Sequence, residues 1–445
     1  MAEKGYSGRE GKKWLRVLLT VVCCLAGIFL LIYAVNFCCS LSLRSYIRSL
    51  EPVAYDSAPL VPVYDEALGH YVVKTDRDLK VMMLSDIHIG GGAWSVKQDR
   101  KTVYEVAVML RKEKPDFVIL GGDNTFAVPG PVFRGGGTLD NAMVARDILE
   151  LFEHEGVYFT TVFGNHDTEA FGYVGRKGIG KLYESDRYPH CLFVSEFSDP
   201  DSARPSVSNQ IIAVENSDGS LARLILLMDT HDYIDGSLDA TINWKYDAIH
   251  PAQTEWARQE IVSLSEKAGL TGGDVLRTIC FFHIPIGEYE TAYRELEANG
   301  FADTLDSEYV EGVWDEELDS DLGGRIWYGG CYRKEDPPGS IDGFFEALGP
   351  DGIGSLEACF CGHDHVNDAI VRYRGVLLGY NRSVDNLAYS GIAGYGSQRG
   401  CTVFTLRDGG EWSYELKNVY IDCGADPEAF FHVELNTPLY PNPVP

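Results

Sequence analysis

Three short apolar runs, each of strand length and each closed by a cluster of Gly, Asp, Asn and His, limit what this chain can fold into. Leu79–Leu84 (LKVMML) ends in SDIHIGGG, Asp116–Leu120 (DFVIL) in GGDN, and Val157–Phe163 (VYFTTVF) in GNHD. Between them, Lys97–Lys112 and Leu139–Glu155 read as helices. Strand, helix and strand in repetition imply βαβ units, because parallel neighbours need a crossover connection. Leu221–Met228 and Thr278–Phe282 read as further strands and Ala252–Lys267 as a helix, and short strands dominate from Ala358 onward. This order fits an α/β fold, a four-layer sandwich of two mixed β-sheets flanked by helices. With 445 residues and 45% hydrophobic content, the chain can bury such a core.

In open α/β sheets ligands collect beyond the carboxyl ends of the strands, and the polar clusters fall there. Asp86 and His88, two residues apart, are expected to point one way from a strand-like backbone. Asp123 follows Gly121-Gly122, whose lack of side chains lets the backbone turn beside it. Gly164-Asn165-His166-Asp167 supplies an amide, an imidazole and a carboxylate in succession. His283 ends the run ICFFH, and Gly362-His363-Asp364-His365 adds two imidazoles. Each fragment alone is commonplace, since a Gly-Asp loop or a histidine at a strand end is usually structural. The ordered set is specific, and five of the eleven histidines occupy it. Of the other six, only His231, in MDTHDY, reads as a candidate substrate-side contact.

D-x-H, G-D, G-N-H-D, a lone H and G-H-x-H in this order resemble the calcineurin-like metallophosphoesterase superfamily over residues 79–366. PDFVILGGDN, FFHIPIGEY and YSGIAGYGSQRG are similar to the plant and fungal purple-acid-phosphatase-related proteins that carry D-x-H. The resemblance implies a two-metal centre. Asp86, His88, Asp123 and His365 would hold one ion, and Asp123, Asn165, His283 and His363 the other, with Asp123 bridging. It also implies that His166 faces the substrate as a catalytic group, with Asp167 orienting its imidazole. Mixed oxygen and nitrogen ligands suit Mn, Fe or Zn. The purple enzymes place a ligating Tyr three residues after the Gly-Asp aspartate; Phe126 stands there instead, so iron does not follow from the likeness. The expected activity is hydrolysis of a phosphate ester by a metal-activated water. Monoester and diester substrates both stay open, as does a tethered binding protein that kept the fold without turnover.

Val17–Cys39 (VLLTVVCCLAGIFLLIYAVNFCC) carries no charge and is long enough to span a bilayer as a helix. Five basic residues precede it and two follow closely. The positive-inside rule therefore puts the N-terminus in the cytoplasm and the catalytic domain in the extracytoplasmic space. A cleaved signal peptide is the rival reading, although its apolar region is ordinarily shorter. Beyond residue 50 the chain holds 31 basic and 64 acidic groups, a net of −33, which repels polyanions and argues against a nucleic-acid partner. Four of the eleven cysteines lie in the apolar run, and the remaining seven cannot all pair internally.

The expected organisation is a stub and membrane anchor over 1–50, an extended Pro-containing tether over 51–77 and a phosphoesterase domain over 78–410. A terminal strand and Pro-rich tail fill 411–445. Within the domain, 284–335 is an acidic insertion between motifs, with 13 Asp and Glu against one Arg from Ile286 to Asp321. Connections this long are often lids, and a solvated flap is the alternative.

Overall fold

The computed structural model describes residues 4–128, 136–199, 205–242, 245–312, 343–388 and 392–435. A helix, α1 (Lys4–Ile47), comes first. It is followed by β1 (Val63–Asp65), β2 (His70–Lys74), β3 (Leu79–Leu84), α2 (Val96–Glu113), β4 (Phe117–Gly121), α3 (Asn141–Glu155) and β5 (Tyr158–Val162). Next come α4 (Arg176–Tyr183), β6 (Gln210–Glu215), β7 (Leu221–Leu227), α5 (Leu238–Ile242), α6 (Pro251–Lys267) and β8 (Arg277–Phe281). The series closes with α7 (Gly287–Ala298), β9 (Ser307–Glu311), α8 (Phe344–Leu348), β10 (Leu356–Cys361), β11 (Ile370–Tyr373), β12 (Val376–Tyr380), β13 (Gly400–Leu406) and β14 (Trp412–Asn418).

The strands form two mixed sheets, as the sequence implied. Five line up as β14-β13-β3-β4-β5, with β3, β4 and β5 parallel; nine line up as β1-β2-β6-β7-β8-β10-β12-β11-β9. The period of two along each strand builds the layers. Leu79, Val81 and Met83 of β3 meet Ile279 and Phe281 of β8 and Phe360 of β10 between the sheets. The alternate residues Met82 and Leu84 turn outward onto α2 and α3, while Cys280, Cys359 and Cys361 turn outward toward α6, α7 and α8. Both faces of both sheets are therefore buried, which is why these strands read as continuous apolar runs.

Two expectations about the periphery need correction. The stretch 51–77 is not a free tether: β1 and β2 lie in it and extend the nine-stranded sheet through the parallel β2–β6 pairing. The apolar helix α1 also runs on into the domain. The last turns of α1 bury Asn36, Ser40, Leu43 and Ile47, and Arg44 reaches Asp147 of α3 at 2.5 Å. The acidic insertion begins as part of the scaffold rather than as a lid. Tyr289 and Leu296 of α7 are core residues, and β9 pairs with β11 at the sheet edge. Its remainder from 313 onward, and the Pro-rich tail from 436, lie outside the described residues. The terminal strand β14 pairs back onto β13.

Candidate metal centre

The carboxyl ends of β3, β4, β5, β8 and β10 bring the motif residues to one place between the sheets. Asp86, His88, Asp123 and His365 each offer a ligand atom within 4.8 Å of the others, and so do Asp123, His283 and His363; the two groups share Asp123. All six side chains are buried. Asn165 joins the second group, its Oδ1 lying 3.2 Å from His363 Nδ1. Each metal-binding candidate read from the sequence thus falls in one cluster.

The local backbone departs from the strand-like geometry expected for D-x-H. Asp86, His88, Asp123 and His363 have φ of 55°, 48°, 51° and 75°, in the left-handed region that side chains other than Gly rarely adopt. Convergence comes from these sharp turns after the strands end, and such strain concentrates at functional positions. The neighbouring glycines are required by space. A Cβ on Gly122 would sit 2.6 Å from the His283 ring, and one on Gly164 2.1 Å from Asp123 Oδ1.

A metal fits this set because several of its donor atoms lack a hydrogen-bond partner. Asp86 Oδ2 and the Nε2 atoms of His88, His283 and His363 are buried without hydrogen bonds. Orphaned buried polar atoms are costly, of order 1–3 kcal/mol each, so several converging on one carboxylate mark a place for a cation. The far sides of two rings are held in the manner typical of metal-binding histidines. His283 Nδ1 lies 2.8 Å from Gly121 O, and His365 Nδ1 lies 2.8 Å from Asp385 Oδ2. Burial alone would raise the Asp385 carboxyl, but His365 and His88 hold it well below the usual range. Asp385 has no local sequence signal, being 20 residues beyond its histidine.

His166 is the group turned toward solvent, its side chain 16% exposed beside the buried cage. Phe126 packs against both His88 and His166, with ring centroids 5.1 and 5.0 Å apart, so an apolar ring fills the position where a purple enzyme has its Tyr. The partner of His166 is Glu169, whose Oε1 lies 2.5 Å from Nδ1. Burial opposes the imidazolium, yet the charges of Asp123 and Glu169 outweigh it and push His166 up to about 9. Asp167 does not orient that ring, contrary to expectation. Its Oδ1 accepts from the backbone N–H of Asn124 and Thr125 at 3.0 Å each, and its Oδ2 from Gly164 at 2.9 Å. It ties the GGDN and GNHD loops together. The H-x-x-E spacing on a single helical turn was the signal for Glu169.

His231 is not a substrate-side contact. It is fully buried, its Nδ1 lies 2.8 Å from Ala248 O, and its ring stacks on His250 at 4.2 Å.

The sequence profile of the calcineurin-like phosphoesterases matches residues 79–367. Among curated relatives, "Probable inactive purple acid phosphatase 14" of Arabidopsis thaliana is 23% identical over 75% of this chain and 75% of its own length. "Phosphatase DCR2" of Saccharomyces cerevisiae is 25% identical over 66% of this chain, which spans only 45% of that protein. "Probable inactive purple acid phosphatase 28" of Arabidopsis thaliana is 23% identical over 71% of this chain and 72% of its own length. A crystallised dimetal phosphatase from Danio rerio aligns with 76% of this chain and 98% of its own at 10% identity and a TM-score of 0.40.

Proposed function

The chain belongs to the calcineurin-like phosphoesterase family, and on that premise we propose that it is a membrane-anchored, two-metal phosphoric ester hydrolase. The observation that carries this reading is the set of orphaned Nε2 atoms of His88, His283 and His363 around Asp123, beneath the partly exposed His166. Asp86, His88, Asp123 and His365 would hold one Mn, Fe or Zn ion, and Asp123, Asn165, His283 and His363 the second. When bound, such a pair neutralises charge on a phosphoryl group and lowers the pKa of water at the site.

The protein's own groups do the rest. His166, held as an imidazolium by Asp123 and Glu169, presents Nε2 to the phosphoryl group and can stabilise its charge or protonate the departing oxygen. Glu169 positions the ring by fixing Nδ1–H. Phe126 keeps water from one side of His166 and His88. Asp167 acts at one remove, by holding the loops that carry Asp123 and Asn165.

The helix α1 serves as an uncleaved anchor, with the N-terminus cytoplasmic and the domain extracytoplasmic. This rests on the charge-free run Val17–Cys39 and the basic residues before it. Protease added to intact cells should digest the domain and spare a short N-terminal fragment; protection until the cells are permeabilised would reverse the orientation.

A second reading, a phosphate-binding protein without turnover, is favoured by the names of the two plant relatives. The separating experiment is turnover of an aryl phosphate by metal-loaded protein, with His166→Ala as control. Hydrolysis that is lost in the variant while metal is retained supports the enzyme; none in the wild type supports the binder.

A further inference from the structure

The direction in which α1 enters the domain fixes where the metal centre lies relative to a bilayer. Partners along α1 and α3 rise together: Ser40 and Arg44 bond Asp147, Arg48 bonds Glu150, and Leu50 O accepts from His154. The two helices therefore run the same way. Contacts with α2 agree, since Val96 lines the same notch as Ala34 and Val35, whereas Arg100 bonds Ser42 and lies over Tyr46. Both α2 and α3 start at the carboxyl ends of the strands and run back along the sheet. Traced toward its N-terminus, α1 thus leaves the domain from the edge that carries the metal centre.

The exposed part of α1 has the length of a membrane and leaves no spacer. Every residue from Val17 to Val35 is exposed, and burial against the domain begins at Asn36. Those residues rise ~28 Å as a helix, against a hydrocarbon thickness of about 30 Å. Phe29 already touches Tyr173 of the loop after β5, with ring centroids 6.4 Å apart.

That edge is also apolar at its rim. Trp94 follows β3, Tyr173 follows β5, and Ile234, Leu238 and Ile242 follow β7; these side chains are 59, 46, 50, 56 and 62% exposed. Trp and Tyr at this depth are typical of membrane–water boundaries.

We infer that the edge bearing the metal centre rests on the bilayer around α1, and that the substrate is a phosphate ester borne on a lipid headgroup. This rests on the anchored-hydrolase reading above. The acidic domain disfavours an anionic leaflet, so the surface it suits is neutral or zwitterionic.

The test uses the full, metal-loaded chain in nanodiscs of zwitterionic lipid. Lipids brominated near the carbonyl should quench more tryptophan emission in the wild type than in Trp94→Phe; equal quenching overturns the placement. The second arm compares a short-headgroup lipid phosphate in the disc with a soluble aryl phosphate, before and after insertion of a twenty-residue Gly/Ser segment between Val35 and Asn36. Raising the domain should lower turnover of the lipid ester about tenfold, because orientation at the surface is lost, and leave the aryl ester within about twofold. No loss, or equal loss on both esters, overturns the substrate class. Quenching without turnover of either ester leaves the placement standing and sinks the hydrolase reading together with the substrate class. A chain recovered from cells starting near residue 40 overturns both placement and substrate.

Discussion

Two clusters of histidine and carboxylate lie close together beyond the strand ends, and they differ in how many of their ring nitrogens are already engaged. In the candidate metal centre, His283 and His365 are held from behind by Gly121 O and Asp385, and the Nε2 atoms of His88, His283 and His363 gather around Asp123 without a hydrogen bond. The neighbouring cluster of His231, Asp247 and His250 is adjacent through Tyr246, whose ring meets His363 edge-on at 4.6 Å. There His231 repeats the ligand pattern, with Nδ1 on Ala248 O and Nε2 without a hydrogen bond, but both ring nitrogens of His250 already face carboxylates, Asp199 at 3.1 Å and Asp247 at 3.0 Å. A cation would have to break the two His250 contacts, whereas in the first cluster the Nε2 atoms of His88, His283 and His363 have no hydrogen bond to give up. Counting histidines and carboxylates does not separate a ligand cage from an ion-pair network; the partners of both nitrogens of every ring do.

The comparison breaks most visibly at the shared carboxylate. Asp123→Asn should remove both metal ions and reduce turnover to background, because both ligand groups use that side chain. Loss of one ion alone, read by elemental analysis, would show that it does not bridge. Next in size is His166→Ala, expected to keep both ions and lose roughly 10²–10⁴-fold in turnover, the range for a positioned acid. Glu169→Gln should lose less than that in kcat with metal content unchanged, and its pH–rate profile should shift where that of Asp167→Asn does not. Asp385→Asn sharpens the contrast from the support side. Metal affinity should fall about 10–100-fold, with the fold unchanged by circular dichroism.

The smallest effect belongs to the second cluster. Hydrogen bonding to Asp247, helped by Asp199 and opposed by burial, raises the His250 pKa above its unfolded value. A raised histidine stabilises the fold fully below the unfolded pKa of ~6.5, and that contribution is lost as pH rises through the folded value. Melting temperatures of the metal-loaded wild type should therefore decline over that window, and those of His250→Gln should decline less. Metal content of this variant should stay at the wild-type value.

The sequence exposed those parts of the site that are contiguous with a strand end. D-x-H and G-H-D-H each put two candidate ligands within three residues, G-N-H-D puts Asn165 beside His166, and a strand that must be buried on both faces is a continuous apolar run; the apolar run Leu79–Leu84 coincides with β3. What escaped depends on contacts distant in sequence or on turns. Asp385 has no motif. Glu169 fills the role expected of Asp167 because the short helical turn at His166 brings i+3, not i+1, onto the imidazole. The docking of α1 was written in polar residues at a spacing of four, Asn36, Ser40, Arg44 and Arg48, but apolar composition dominated the reading. The edge strand β1 and its neighbour β2 were hidden by the prolines before them, which mark loops as readily as sheet edges.

The central claim is that the orphaned nitrogens around Asp123 exist to hold metal, and that the His231 cluster does not. Anomalous scattering from crystals grown with manganese or zinc tests both halves at once. Two peaks flanking Asp123, and none between His231 and His250, is the predicted result. No peak at Asp123, or a peak at the second cluster, would contradict it.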